Sequence, residues 1–257
     1  MLKWGLKLWS VNDNYAVEVI RLHKARLFDY LELFIVPGTT EGQLRLWIDL
    51  KDKYGIKYVA HAPHSMSGLN LAKRECLDGN LKLAKEALTA ADRLGAEIVI
   101  FHPGIGGKDE EAVSQIKKFF DSRIVVENKP YYPLTGKDSI CNGNSPESIK
   151  YIMENTGAGF CLDIGHAICS ANAQNKDRNA YLRLFMELKP KMFHISDGDN
   201  ESVFDSHVHI GSGSYDLKSA LAELPANSLV TIETEKDSRT DLKDFVGDLK
   251  KLKELAR

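Results

Sequence analysis

Seven of the eight histidines in this chain lie in short apolar runs or in the segment DSHVH at 205–209. The runs are YVAHAPH (58–64), IVIFHPG (98–104), IVVENKP (124–130), FCLDIGH (160–166), MFHISDGD (192–199) and VTIETE (230–235). Run by run they present nine groups: His61, His102, Glu127, Asp163, His166, His194, Asp205, His207 and Glu233. Imidazoles and carboxylates gathered in one place repel or protonate one another unless a cation holds them. A His/Asp/Glu set without cysteine suits Zn2+, Mn2+ or Fe2+ at a catalytic centre. Nine donors are more than one ion can use, so two or three ions are expected. A single His at a strand end is more often a hydrogen-bonded structural residue, but nine such groups on one face reverse that balance. Glu127 and Glu233 are charged tips of apolar runs, and an unpaired buried carboxylate is costly, so each needs a partner. With His166, they are the groups expected to touch the reacting atoms. Asp197 and Asp199 read as solvated turn residues or as supports. His64 and His209, two or three residues from donor positions, read as supports or substrate contacts.

Such a set must be brought together by strands that all point the same way. Strands are expected at 2–9, 29–36, 56–62, 97–102, 123–128, 158–163, 190–195 and 228–234, rich in Val, Ile, Phe or Leu as strands buried on both faces should be. Helical patterns lie between them at 14–25, 42–54, 77–95, 108–119, 146–155, 177–188, 216–223 and 240–256. The strongest, 77–95, spaces apolar residues three and four apart and stops at Gly95. Asn12 and Ser145 are the expected N-caps of their helices, Ser145 with Pro146 and Glu147 in the first turn. Strand and helix alternate with short connections, which predicts an α/β fold, a (β/α)8 barrel in one domain over 1–257. The rival, an open doubly wound sheet, usually carries a glycine-rich loop after its first strand. Here that position reads WSVND. Chemistry at strand ends is where such barrels keep it.

Composition narrows the remaining classes. The net charge of −2 gives no overall basic footprint for nucleic acid, although a local groove could still be positive. The four cysteines form no CxxC pair, which fits a reducing, cytoplasmic compartment with Cys161 and Cys169 as small core residues. No apolar run approaches the roughly 20 residues that span a bilayer. The start, MLKWGLKLW, is broken by Lys7 and reads as a first strand rather than a signal peptide. No protein partner is implied.

The segments HAPHSMSGLNLA, FHPG, VVEN, CLDIGHA, FHISD, DSHVHIGSG and IETE resemble, in order, the endonuclease IV family within the xylose isomerase-like barrels. The resemblance implies three zinc ions and cleavage of DNA on the 5′ side of an abasic site. It implies that His61, His102 and Glu127 hold one ion, with Glu127 bridging to a second held by Asp163, His194 and Glu233. His166, Asp205 and His207 would hold the third. Water coordinated this way ionises at a pH of roughly 7, which suits in-line attack on phosphorus. The loops that grip DNA in that family differ here. The loop after the second strand, VPGTTEGQ, has no Arg or aromatic, and HSMSGLNL offers Met66 and Leu69 but no Tyr. Lys129, Tyr131 and Tyr132 offer compensation through phosphate contact and base stacking, although paired tyrosines at a rim more often simply pack there. The same barrels include sugar isomerases and epimerases with a single divalent ion, whose four ligands match Glu127, Asp163, His194 and Glu233. That alternative takes a sugar or phosphorylated sugar and leaves His61, His102, Asp205 and His207 without a metal. A non-catalytic metal-binding barrel is the third reading.

Overall fold

The structure is a computed structural model describing residues 1–256. Its strands are β1 (Lys3–Trp9), β2 (Tyr30–Phe34), β3 (Tyr58–His61), β4 (Val99–Phe101), β5 (Ile124–Glu127), β6 (Gly159–Asp163), β7 (Met192–Ile195) and β8 (Leu229–Ile232). All pair in parallel and in sequence order, and β8 closes on β1. The helices are α1 (Ala16–Lys24), α2 (Glu41–Tyr54), α3 (Leu77–Leu94), α4 (Asp109–Ile116), α5 (Pro146–Thr156), α6 (Ile164–Ala173), α7 (Arg178–Met186), α8 (Leu217–Ala222) and α9 (Lys243–Leu255). The expected (β/α)8 barrel is present, each strand trimmed by at most two residues at either end.

Because side chains alternate along a strand, every strand here serves two interiors. One set, including Leu6, Leu8, Leu31, Leu33, Val126 and Leu162, packs outward against the helices in the main apolar core. The other set points into the barrel. There Tyr30, Val59, Ile100, Val125, Cys161 and Met192 form a small separate apolar plug. Two residues further along the same strands come Glu32, His61, His102, Glu127, Asp163 and His194, all buried. The barrel is therefore apolar below and ionisable above, and the period of two sets the boundary.

Two local expectations are corrected. Asn12 stands at the N-cap position of the 3-10 turn leading into α1, but its side chain does not cap that turn; its Oδ1 accepts from the Trp9 amide at 2.9 Å and closes the turn after β1. Ser145 does cap α5, accepting from the Ser148 amide at 3.2 Å. The second correction is α6, which was not expected. Asp163 ends β6 and caps α6 at once, its Oδ1 accepting from the His166 amide at 2.7 Å. From Ile164 to Ala171 every residue of α6 is buried, so no polar face marks a helical period.

Candidate metal centre

All nine expected residues reach the carboxyl-end mouth of the barrel, each in a group of potential donors within 4.8 Å of one another. Glu127 is the hub. Its Oε2 lies 3.2 Å from His61 Nε2, 3.1 Å from His102 Nε2 and 3.4 Å from His194 Nδ1, and its Oε1 lies 3.2 Å from His166 Nδ1. His61, His102 and Glu127 form one group, and His166, Asp205 and His207 another, as expected. The expected third grouping is looser. His194 Nδ1 approaches Glu233 Oε2 at 2.7 Å but Asp163 Oδ2 only at 4.0 Å, and Asp163 groups instead with Glu127 and His166.

Four of the five proposed histidine ligands are oriented by their other ring nitrogen. The hydrogen-bond partners leave Nδ1–H of His61 donating to the Ala62 carbonyl at 2.7 Å, that of His166 to the Asn128 carbonyl at 2.9 Å, and that of His207 to the Glu233 carbonyl at 2.7 Å. His194 is reversed: Nε2–H donates to Glu32 Oε2 at 2.9 Å. In each case the second nitrogen presents its lone pair to a carboxylate oxygen. Lone pair against lone pair is tolerable only with a proton or a cation between them. Among the described residues Asp163 Oδ2, His194 Nδ1, Asp205 Oδ1 and Glu233 Oε2 are buried without hydrogen-bond partners. Ring N–H donated outward, with buried unpartnered donors inward, is the arrangement of residues that fit a metal ion.

The charges agree. Against burial, Asp163, Asp205 and Glu127 push the His166 pKa up to about 10. Against burial, Asp205 pushes His207 up to about 9. Negative charge at the mouth thus exceeds what neutral histidines can balance. His102 is kept well below the ordinary histidine value by burial. Burial, with His61 and Lys129 adding positive charge, holds His64 down at about 4. Among the described residues His64 belongs to no donor group; its ring stacks on His102, with centroids 5.6 Å apart and planes at 14°. It lines a cavity of about 150 Å³ over the mouth, with Met66, Lys129, Leu134, His166 and Glu233.

Local structure holds these groups in place. Asn128 staples β5 to β6: its Oδ1 accepts from the Asp163 amide at 2.7 Å and its Nδ2 donates to the Asp163 carbonyl at 2.9 Å. His207 has φ +45°, a left-handed conformation uncommon outside glycine, which turns its ring toward Asp205 Oδ2. Other expectations are redirected. His209 faces away, bonded to Asp248 at 2.8 Å and Asp237 at 3.1 Å. Asp197 is not solvated: it is buried and accepts from the Gly211 and Tyr215 amides at 2.8 and 3.1 Å, holding the β7 loop. Asp199 is exposed, as a turn residue should be. Leu69 is fully buried, so of Met66 and Leu69 it is Met66 that lines the cavity. Tyr131 and Tyr132 pack edge to face at 4.9 Å, and Tyr132 also meets Phe204.

Three residues of the site escape the sequence reading. Lys7 and Glu32 are buried beside Glu233 and His194. Burial opposes the charge of Lys7, but Glu233, Glu32 and Glu127 outweigh it and raise its pKa. Burial likewise opposes ionised Glu32, and His194 and Lys7 outweigh it, lowering that pKa. Cys161 groups with Glu127 and His194, and burial pushes its thiol up to about 12. The signal for Lys7 and Glu32 was available: each is two residues beyond an interior position, in the same phase as His61 on β3.

Comparison with known proteins adds the lineage. An uncharacterized protein of Methanocaldococcus jannaschii is 26% identical over 220 residues, covering 80% of this chain and 81% of the relative. A probable endonuclease 4 of Carboxydothermus hydrogenoformans is 24% identical over 195 residues, covering 67% of this chain and 66% of the relative. A crystal structure of a D-tagatose 3-epimerase-like protein superposes with TM-score 0.76 at 21% identity, covering 99% of this chain and 97% of that one. Residues 24–255 match one family throughout, and the chain belongs to it: the xylose isomerase-like TIM barrels.

Proposed function

We propose that this protein is a metal-dependent phosphodiester hydrolase of the endonuclease IV type, acting on DNA at abasic sites. One observation carries the reading: His166, Asp205 and His207 form a donor group that needs none of Glu127, Asp163, His194 and Glu233, beside the groups around Glu127. A single-ion isomerase has no use for it. In this reading His61, His102 and Glu127 hold one cation, Glu127, Asp163, His194 and Glu233 a second, and His166, Asp205 and His207 a third. Zn2+ is the ion proposed, with Mn2+ or Fe2+ as substitutes. When bound, the cations supply charge stabilisation at the attacking, leaving and equatorial oxygens of the phosphodiester. The chain supplies the rest. Lys129, whose Nζ lies 3.5 Å from His166 Nε2 at the cavity wall, meets a phosphate oxygen as a point charge. His64 presents a neutral ring, and Met66 and Leu134 line the cavity over the mouth. The sequence relationship to a probable endonuclease 4 supports this choice. The four free thiols accord with a reducing, cytoplasmic setting, and among the described residues no helix is long and apolar enough to cross a membrane.

The test is incubation of zinc-loaded protein with a duplex carrying one abasic site. Nicking 5′ to the lesion that EDTA abolishes is the expected result. A second reading, an epimerase of sugars or sugar phosphates, is favoured by one feature: a cavity of only about 150 Å³ over the donors. No nicking, together with epimerisation of a ketose by protein holding one Mn2+, would establish that reading instead.

A further inference from the structure

We propose that Lys7 and Glu32 are positioning residues that preset His194 and Glu233 to receive a cation. The proposal rests on the reading that His194 and Glu233 bind one. Lys7 and Glu32 stand opposite each other in register across β1 and β2, and both are buried. Lone charges at a barrel axis are strongly disfavoured unless paired. The pairing here reaches past the two of them to the proposed ligands. Lys7 Nζ lies 2.5 Å from Glu233 Oε1 and 3.3 Å from Glu32 Oε1. Glu32 Oε2 accepts from His194 Nε2 at 2.9 Å and from Thr231 Oγ1 at 2.7 Å.

Two consequences follow. His194 Nε2 is committed to Glu32, so Nδ1 is the ring nitrogen that faces Glu233 Oε2 and Glu127 Oε2. Glu233 is anchored through Oε1, and among the described residues its Oε2 is buried without a hydrogen-bond partner beside that nitrogen. Lys7 and Glu32 cancel each other's charge. They therefore orient the two donors without reducing the negative charge that Glu127, Asp163 and Glu233 offer a cation. Among the described residues neither forms a hydrogen bond or ion pair with His166, Asp205 or His207. The effect should be confined to one ion.

The experiment loads wild type, Glu32→Gln, Glu32→Leu and Lys7→Met with Co2+ alone, counts bound ions per chain and titrates each against a chromogenic chelator. Glu32→Leu and Lys7→Met are expected to weaken one ion about 10- to 100-fold and leave the others unchanged. Glu32→Gln keeps an acceptor for His194 Nε2–H and should recover much of the loss. Nitrogen-15 and proton spectra of cation-free protein should find the His194 Nε2–H held in a strong hydrogen bond in wild type and released from it in Glu32→Leu. If Lys7→Met alone does not fold, Lys7→Met with Glu32→Gln removes both charges and serves in its place. Equal affinities across the series, with wild type loaded, overturn the proposal while leaving the metal centre intact. A wild type that takes up no cation overturns the metal reading and this proposal with it.

Discussion

Gly5 stands opposite Tyr30 across β1 and β2, and the Tyr30 ring occupies the space that a side chain on Gly5 would need. A Cβ at Gly5 would lie 2.4 Å from Tyr30 Cζ, far inside contact distance. The ring cannot retreat easily: Tyr30 is in the apolar plug, and its hydroxyl is 2.9 Å from Thr231 Oγ1, which in turn donates to Glu32. Gly5→Ala is therefore expected to destabilise the barrel by about 1–3 kcal/mol, the usual cost of overpacking a filled core. Urea unfolding measures it. In a Tyr30→Leu background the clashing atoms are gone, and Gly5→Ala should cost much less. Equal costs in both backgrounds would remove the steric explanation.

The fold and the donor set are legible in the sequence for one shared reason. Strands buried on both faces read as unbroken apolar runs, and a charged residue at the tip of such a run stands out. Glu127 after IVV and Asp163 after FCL are found this way. Lys7 and Glu32 are not, because they sit inside their strands rather than at the tips, where a charge reads as a break in the pattern. Phase would have identified them: Gly5 and Lys7, Tyr30 and Glu32, Val59 and His61 are successive interior pairs. α6 is hidden by the opposite effect, since burial on all sides removes the polar face that reveals a helix. Loop position alone makes Leu69 a rim residue and Asp197 a solvated one, and loop position does not report burial. Both are buried.

If three ions bind, His166, Asp205 and His207 hold the most separable one. Asp205→Ala with His207→Ala is expected to remove one ion per chain and leave the group around His61, His102 and Glu127 loaded. Glu127→Gln, by contrast, touches every group except His166–Asp205–His207 and the one made by Glu32, His194 and Glu233. It should weaken two ions together and abolish hydrolysis. Elemental analysis after dialysis distinguishes the two patterns. Unchanged metal content in the Asp205/His207 double variant would mean that no ion resides there.

The opposite end of the barrel is expected to carry stability rather than chemistry. Just before β5, Arg123 donates to Asp121 through Nε at 2.9 Å and Nη2 at 2.7 Å, and to Asp92 at 2.6 Å. The Arg123 hydrogen bonds hold the Asp121 pKa below the ordinary value of 3.8. A carboxylate whose pKa is lower in the folded state contributes stability above its unfolded value and loses it as pH falls through the folded one. Asp121→Asn should thus cost about 1 kcal/mol at neutral pH, with the gap to wild type closing only below pH 3.8. Denaturation curves from pH 7 downward test it, and a gap that persists unchanged at the acid end would contradict the assignment. Nicking activity at pH 7 should be unaffected.

Lys129 is where substrate charge should be read. It follows β5 directly, lines the cavity with His64 and Met66, and has its ammonium 3.5 Å from His166 Nε2. Nothing in the fold requires a cation at that wall: among the described residues Lys129 makes no ion pair with a carboxylate. Its position suits an anion entering over the donors. A hydrogen bond to an ionised partner contributes about 1.5–3 kcal/mol, so Lys129→Ala should weaken inorganic phosphate binding to zinc-loaded protein by at least about tenfold. Calorimetry with phosphate alone measures this, and Lys129→Arg should retain most of the affinity because the charge is kept. A neutral sugar ligand would respond differently, since no full charge would meet the ammonium. Phosphate affinity equal in wild type and Lys129→Ala would therefore count against an anionic substrate at this wall.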